Sequence, residues 1–554
     1  MMPTNLTEPF SRRTFLTAAA AAAFAGPLLS GCSSSSSPGG KSGSGSKVAM
    51  PTHVPFNGVP PDLPGDIAKG INPGYLSYPA EHVKTVHGKV GSGGAFRVFV
   101  TSFSPPPPPK AQNSYWQAIN AALGVDLKPT LVPQEFPTKL AAMLSSGDIP
   151  DLVTMYLADA QSVRRFETVA RSRFANLSEH LSGDAVKKYP NLARLAPDSW
   201  SSTLIDGEIY STPTLRIPTG QVLYLRDDRV KAAGADPNPT SIAEFEQLCK
   251  ALSDPGKKRW ALANPDSVWN AATIYPLFGV PNGWRLNPDG SLTKDYETEE
   301  WQEAVAFMAK TWKAGYWHPN SPTMSDADGD TFFENGSVAM RQDSVVRYAI
   351  RGKVGFLPSI MKPFSADGGT VTTYEGSVTD FVTFVKKGSK ARVEESLRIL
   401  NWLNAPFGSE EYFLRAYGVA GKDHTLAGGQ PKLSETGTSE VQSLSLRFVG
   451  GGPDVLYASN GNTPMVKTMH AYQTAVSPSR VKNPTTGLYS EAASTSGTIT
   501  QQVTDTINDV VLGRKPASAL KAAVAAWKKN GGDKVRADYE KAIAERTSGK
   551  KATS

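Results

Sequence analysis

The sequence predicts an α/β protein with open, largely parallel sheets, more than one compact unit, and extra helices at its C-terminal end. Three observations carry this. From residue 95 the apolar pattern runs strand, helix, strand, helix, strand, the order of βαβ crossovers. The chain has 554 residues, several times a typical domain. From residue 497 onward the pattern is helical only.

Each element has its own reason. Phe96-Arg97-Val98-Phe99-Val100-Thr101 alternates and is rich in strand formers. Pro105 to Pro109 then forbid both helix and sheet interior. The run from Tyr115 to Leu123 has helical period and stops at Gly124. Leu131-Val132-Pro133 reads as a short strand, 138–146 as a helix closed by Gly147, and 151–155 as a strand. Residues 207–213 read as a short hairpin arm and 222–225 as a strand. Helices follow at about 241–252, where Ser241 and Glu244 make a capping box, then 269–278 and 299–314. Strands are expected at 338–340 and 381–385, and helices at about 390–404, 409–416, 497–512, 516–529 and 533–546. No internal repeat is found.

Composition excludes several classes. Hydrophobic content of 40% and charged content of 20% are ordinary for a globular protein. A net charge of +7 without long basic runs speaks against nucleic-acid binding. The seven histidines form no HExxH pattern, and neither GxSxG nor a Walker loop is present, so no catalytic, metal or cofactor residues are assigned. Asp326-Ala327-Asp328-Gly329-Asp330 fails as an EF-hand because Thr331 and Ser337 stand where glycine and glutamate are required; it reads as a solvated acidic turn capping a helix. Paired carboxylates for glycoside hydrolysis are set by spatial distance and stay open at this stage.

The N-terminus carries an address. Arg12 and Arg13 precede a short alanine-rich apolar run, and Leu29-Ser30-Gly31-Cys32 closes it. This is a secretory signal peptide over 1–31, with Arg12 and Arg13 as a twin-arginine export signal. The last four residues resemble a bacterial lipobox, which makes Cys32 the lipidated first residue of the mature chain. A Ser/Gly tether at 32–47 and an irregular arm at 48–94 follow. The only other cysteine, Cys249, lies in a helical apolar pattern and reads as core filler.

A set of spaced segments then points to a family. They are Ser145-Ser146-Gly147-Asp148-Ile149-Pro150-Asp151, Asp206-Gly207-Glu208-Ile209-Tyr210, Leu225-Arg226-Asp227 with Pro239-Thr240-Ser241, and Phe333-Glu334-Asn335-Gly336-Ser337-Val338-Ala339-Met340. Val511-Leu512-Gly513-Arg514 and Trp527 to Gly532 complete the set. Through these the chain resembles the extracellular solute-binding lipoproteins of bacterial ABC transporters, in the long oligosaccharide-binding (family 1) subgroup. The resemblance implies a two-lobe periplasmic-binding-protein-like fold with hinge crossings near 207–220 and 370–378. It places lobe 1 at 95–213 and 376–405, and lobe 2 at 218–372 and 406–554 with the C-terminal helices. It further implies a carbohydrate ligand between the lobes, ABC permease subunits as partners, a monomer lipid-anchored on the outer face of the cell membrane, and no enzymatic chemistry.

Sugar binding needs aromatic faces for C–H surfaces and polar groups for hydroxyls. Candidates lie where open sheets bind ligands, after strand ends. They are Asn113 after the proline run, Tyr156 after the strand at 151–155, Tyr210 in the hinge arm, Gln342 and Asp343 after 338–340, and Tyr374 and Glu375 at the second crossing. Trp269, flanked by Asp266, Ser267 and Asn270, is expected to present its ring at a surface, with Ile274, Leu277 and Phe278 filling the core behind it. Trp301 and Trp312 read as core. The loop after Tyr417-Gly418 departs from the family pattern and is a possible pocket wall. Two other classes stay open on the residues alone: a secreted polysaccharide hydrolase or lyase, and a surface scaffold lipoprotein.

Overall fold

Nine strands build two sheets: β1 (Ala95–Thr101), β2 (Asp126–Val132), β3 (Leu152–Tyr156), β4 (Ser211–Leu215), β5 (Gln221–Arg226), β6 (Trp260–Leu262), β7 (Val338–Ser344), β8 (Pro358–Ile360) and β9 (Thr379–Val385). The computed structural model describes residues 48–551 apart from Gln134, 264–268, 351–354, Pro453, Asn460 and Ser496. The export signal at Arg12 and Arg13, the lipidation residue Cys32 and the tether lie outside the described residues, as do Asp266 and Ser267.

The first sheet has the order β2–β1–β3–β9–β4. β1 runs parallel to β2 and β3, with the helices Ser114–Leu123 and Phe136–Ser146 as crossovers, as the strand–helix alternation predicts. β9 and β4 complete it antiparallel. The second sheet has the order β8–β5–β7–β6. Pro129, Pro213 and Pro358 all sit on edge strands, where a missing N–H costs no ladder bond. β2 starts five residues before the expected 131 for the same reason.

Both sheets are covered on both faces, and the second departs from the expected parallel pairing: β5 runs antiparallel to β7 and β8, and only β6 and β7 are parallel. On the first, Phe96, Val98 and Val100 face one core, and Phe99, Val153 and Met155 face another. On the second, Leu223, Leu225 and Met340 face the helix Glu299–Lys313 and the C-terminal helices Gly497–Val511, Ser518–Trp527 and Asp533–Lys551. Val222 and Tyr224 face Met465, Val466 and Met469 of the helix Thr463–Val476. Cys249 lies fully buried in the core of the second sheet. The arm reaches the first layer through the Val54 N–H on the Ala193 carbonyl, then pairs Gly74–Tyr75 with Leu456–Tyr457.

Two expectations about organisation change. Residues 406–449, read as lobe 2, pack on the first sheet. Leu444, Leu446 and Val449 share its core, and Glu440 of the helix Glu435–Ser443 accepts from Ser114 Oγ and the Tyr115 N–H at 3.0 Å each. The chain therefore crosses a third time, through Gly450-Gly451-Gly452. A Cβ on Gly452 would lie 1.8 Å from the Leu215 carbonyl of the first crossing, so only glycine fits. Likewise a Cβ on Gly376 would stand 2.9 Å from the Cα of Gly220. The three crossings pass one another backbone to backbone.

The region 269–278 is not one helix. Ala271–Ile274 makes one turn, and Pro276 converts the rest to a 3₁₀ segment, Tyr275–Phe278. The acidic turn is also not simply solvated. It opens the helix Asp326–Glu334 with Ser325 and Asp328 as a capping box, but Asp330 is 3% exposed and pairs with Arg347 and Arg341.

Candidate functional site

The crossings leave the first sheet at one edge. Leu215 ends β4, Thr379 opens β9, and Tyr156 ends β3 opposite Phe381. They enter the second sheet where Gln221 opens β5 opposite Ser344 of β7. These two edges are the walls of a cleft, at the carboxyl ends of the parallel strands.

The first wall is aromatic. Tyr156 stacks on Phe381 with ring centroids 4.0 Å apart and planes at 30°. Phe448, from the helix Leu446–Val449, packs on Phe381 at 4.9 Å. Phe103 meets Phe448 at 5.3 Å and Tyr156 at 6.3 Å, yet stays 61% exposed. Phe103 is thus an exposed apolar ring continuous with three others. Charges frame it. Arg216 pairs with Asp380 at 3.0 Å, and the guanidinium of Arg447 lies 4.7 Å from the Phe448 ring centroid. Burial, with the Asp380 carboxylate nearby, pushes the Tyr156 phenol up to about 12, so it stays a neutral donor at physiological pH.

The wall is held from behind. Asn113 caps the helix Ser114–Leu123 through its Oδ1, which accepts the Trp116 N–H at 2.7 Å. Asp423, in the turn after Tyr417-Gly418, is fully buried, and its carbonyl passes close to Gly437 of the helix that carries Glu440. Desolvation, reinforced by Glu440, raises the Asp423 carboxyl above the usual range. This loop supports the wall from the rear.

The second wall spends its polar groups locally. Paired residues on adjacent strands share a face, so Gln342 opposite Leu223 and Asp343 opposite Val222 point to opposite sides. Gln342 Oε1 accepts from the Thr273 N–H and Oγ1 at 3.0 and 3.1 Å. Asp343 takes Arg341 at 2.9 Å, and Arg341 also binds Asp326. Among the described residues no group of three metal-ligating side chains comes together.

Trp269 does not present its ring at a surface. It is 2% exposed, edge-on to Trp312 and Trp317 at 5.5 and 5.2 Å, with its indole N–H on Asn508 Oδ1 at 2.6 Å. The cause is local backbone: Trp269 and Asn270 both hold positive φ, 50° and 52°, which turns the ring inward. The Asn270 side-chain oxygen and nitrogen are buried without a partner among the described residues. Two strained residues and an unsatisfied amide mark this turn as a place held against its own preference.

The remaining candidates lie at the crossings. Tyr210 is buried in the core beneath the first sheet. The Tyr374 hydroxyl donates to the carbonyls of Val280 and Pro281, and burial raises its pKa. Glu375 pairs with Arg480 at 2.8 Å. Tyr374 and Arg480 also line, with Gln221 and Thr273, a cavity of about 30 Å³ beside the hinge, room for a water or two. Of the eight candidates only Tyr156 joins the aromatic wall. Sequence reading missed Phe103, Phe381 and Phe448. Phe103 stands before a proline run and reads as loop; its isolation from any apolar period is the signal that was available.

A second contact joins the layers. Leu488 and Ala492 enter the core of the second layer, while Tyr489 and Glu491 reach the start of the helix Phe166–Arg173 in the first. Glu491 Oε2 accepts the Arg165 N–H at 3.0 Å and the Tyr489 hydroxyl at 2.9 Å, beside a groove of about 490 Å³ lined by Arg164, Arg165 and Asp538.

Comparison with known proteins agrees with this architecture. A family model described as bacterial extracellular solute-binding protein matches residues 115–420, more than half of the chain. The polygalacturonan/rhamnogalacturonan-binding protein YtcQ of Bacillus subtilis is 24% identical over 461 residues, covering 79% of this chain and 89% of that one. Lipoprotein LipO of the same organism is 22% identical over 491 residues, covering 83% and 94%. The solved structure of an HMO-binding, ABC-transporter-associated solute-binding protein from Bifidobacterium longum infantis superposes with a TM-score of 0.57 at 15% identity, covering 82% of this chain and 99% of that one.

Proposed function

We propose, from a chain that belongs to the bacterial extracellular solute-binding proteins, that it captures a carbohydrate between its two lobes and hands it to an ABC importer. The observation that carries the ligand class is the wall of Phe103, Tyr156, Phe381 and Phe448, with one ring left in solvent. Sugars offer flat C–H faces to such rings and hydroxyls to the framing Arg216, Asp380 and Tyr156. The names of YtcQ and of the Bifidobacterium protein, which specify polysaccharide and HMO binding, support the same class. Closure of the lobes about the three crossings brings the second wall onto the bound ring, so the ligand stabilises the closed state by touching both sides.

Around this core we place the finer expectations. Arg12 and Arg13 direct export, Cys32 carries the lipid, and the tether lets a monomer reach its permease at the outer face of the cell membrane. LipO, a lipoprotein by name, supports the anchor. The test is calorimetric titration against a panel of mono- and oligosaccharides, with chromatography of the mixtures. Binding without product is expected. Product would replace the binder by a hydrolase, and no binding to any sugar would remove the carbohydrate reading.

A further inference from the structure

We propose that the sugar captured at the aromatic wall is acidic, and that Arg447 reads its carboxylate. The inference rests on the carbohydrate reading above and adds the substrate's charge.

The argument begins with what each charge at the wall is already doing. Four charged groups act on the Tyr156 hydroxyl: Asp380, Arg216, Asp159 and Arg447. Asp380 is taken by Arg216 at 3.0 Å. Asp159 belongs to the turn after β3, where its carboxylate accepts the Tyr156 N–H at 3.3 Å. Arg447 is different. Among the described residues no ion pair or side-chain hydrogen bond takes it; its guanidinium lies over the flat face of Phe448, feels the Tyr156 hydroxyl and is desolvated by the groups around it. The charge left over at the wall is therefore a guanidinium.

Its placement is fixed by the chain around it. The Phe448 carbonyl accepts Thr214 Oγ1 at 3.0 Å, and the Val449 carbonyl accepts Thr383 Oγ1 at 2.9 Å. Ser445 holds a positive φ of 55° to start this short helix across the sheet edge. Phe448 in turn packs on Phe103 and Phe381. Arg447 thus stands at the rim of the surface on which a sugar ring would lie. A guanidinium presents a planar fork of donors that matches a carboxylate in two parallel bonds. Stacked on an aromatic ring, it keeps that fork oriented and loses little freedom on binding. A neutral sugar would leave the fork without a match; a uronate on the platform would complete it.

The test uses the full chain and pairs of probes that differ in the carboxylate charge and one methyl group. Trimers of galacturonate, glucuronate and mannuronate are titrated beside their methyl esters. At least one acid trimer should bind about tenfold or more tighter than its ester, with the preference weakening as salt rises. Arg447→Gln should erase the preference with little change in the thermal melt, since among the described residues the partly desolvated guanidinium holds no ion pair or hydrogen bond to lose, and Arg447→Lys should restore only part of it. Equal binding of acid and ester, or a preference that survives Arg447→Gln, would overturn the charge assignment and leave carbohydrate capture standing. Tight binding confined to neutral sugars would do the same. Binding to no sugar at all would overturn both readings together.

Discussion

The two walls of the cleft carry aromatic rings in opposite states. On the first, Tyr156 and Phe381 stack at 4.0 Å and Phe103 is left 61% exposed. On the second, Trp269 is 2% exposed between Trp312 and Trp317. The polar groups differ in the same sense. Arg447 at the first wall has no acceptor among the described residues, whereas Gln342 and Asp343 at the second are consumed by Thr273 and Arg341. The contrast teaches that an aromatic residue with polar neighbours is not in itself a binding group. What decides is whether the next element covers the ring, and three tryptophans on the second wall cover one another.

The largest expected effect tests the buried side of this contrast. Trp269→Ala removes an indole from a closed cluster together with its bond to Asn508, and should cost about 3–5 kcal/mol of stability. The apo melting temperature should fall by several degrees. An unchanged melt with weakened sugar binding would erase the distinction between the walls. Phe103→Ala is the mirror experiment. It should leave the apo melt alone and weaken sugar binding by on the order of 1–2 kcal/mol, about five- to thirtyfold. Unchanged affinity would take the first wall out of the site.

The contact between layers comes next in size. Glu491→Ala removes an acceptor from the start of the helix Phe166–Arg173, an effect of about 0.5–2 kcal/mol. If the contact exists only in the closed state, the unliganded protein should show a larger radius of gyration by small-angle scattering, and affinity should drop by the same factor as the closed population. A scattering profile identical to wild type would show that the contact survives opening. The smallest effect lies behind the first wall. Asp423 has a raised pKa in the folded state, so its ionised form is penalised there. Stability is then highest while the group is protonated, and falls as pH rises from its ordinary value of 3.8 through the raised folded value. Asp423→Asn should melt slightly higher than wild type at pH 7, and the gap should close in acid. A gap that widened in acid would assign Asp423 a charge-stabilised role.

How much of this was legible depended on whether a period or a backbone angle carried the information. The parallel strands β1, β2 and β3 and their crossovers follow from alternation and from stops at Gly124 and Gly147, and the structure keeps them within a few residues. The strands β6 and β8 have three residues each, too few to show a period. The third crossing reads as loop because Gly450-Gly451-Gly452 has no side chains to pattern, and its role appears only when the Leu215 carbonyl is seen beside it. At the candidate site, the position of Tyr156 at the carboxyl end of β3 was readable from the strand pattern before it. Trp269 was misread because two positive φ angles, which no flank announces, turn its ring inward.

The glycine contact at the crossings sets more than a path for the chain. A single methyl group at position 452 would have nowhere to go, with the Leu215 carbonyl 1.8 Å from where it would sit. It would act as a wedge between the first and third crossings and fix the angle at which the lobes rest. Affinity for the solute could then be tuned from a position the solute never meets, by altering how far the clamp stands open before anything arrives.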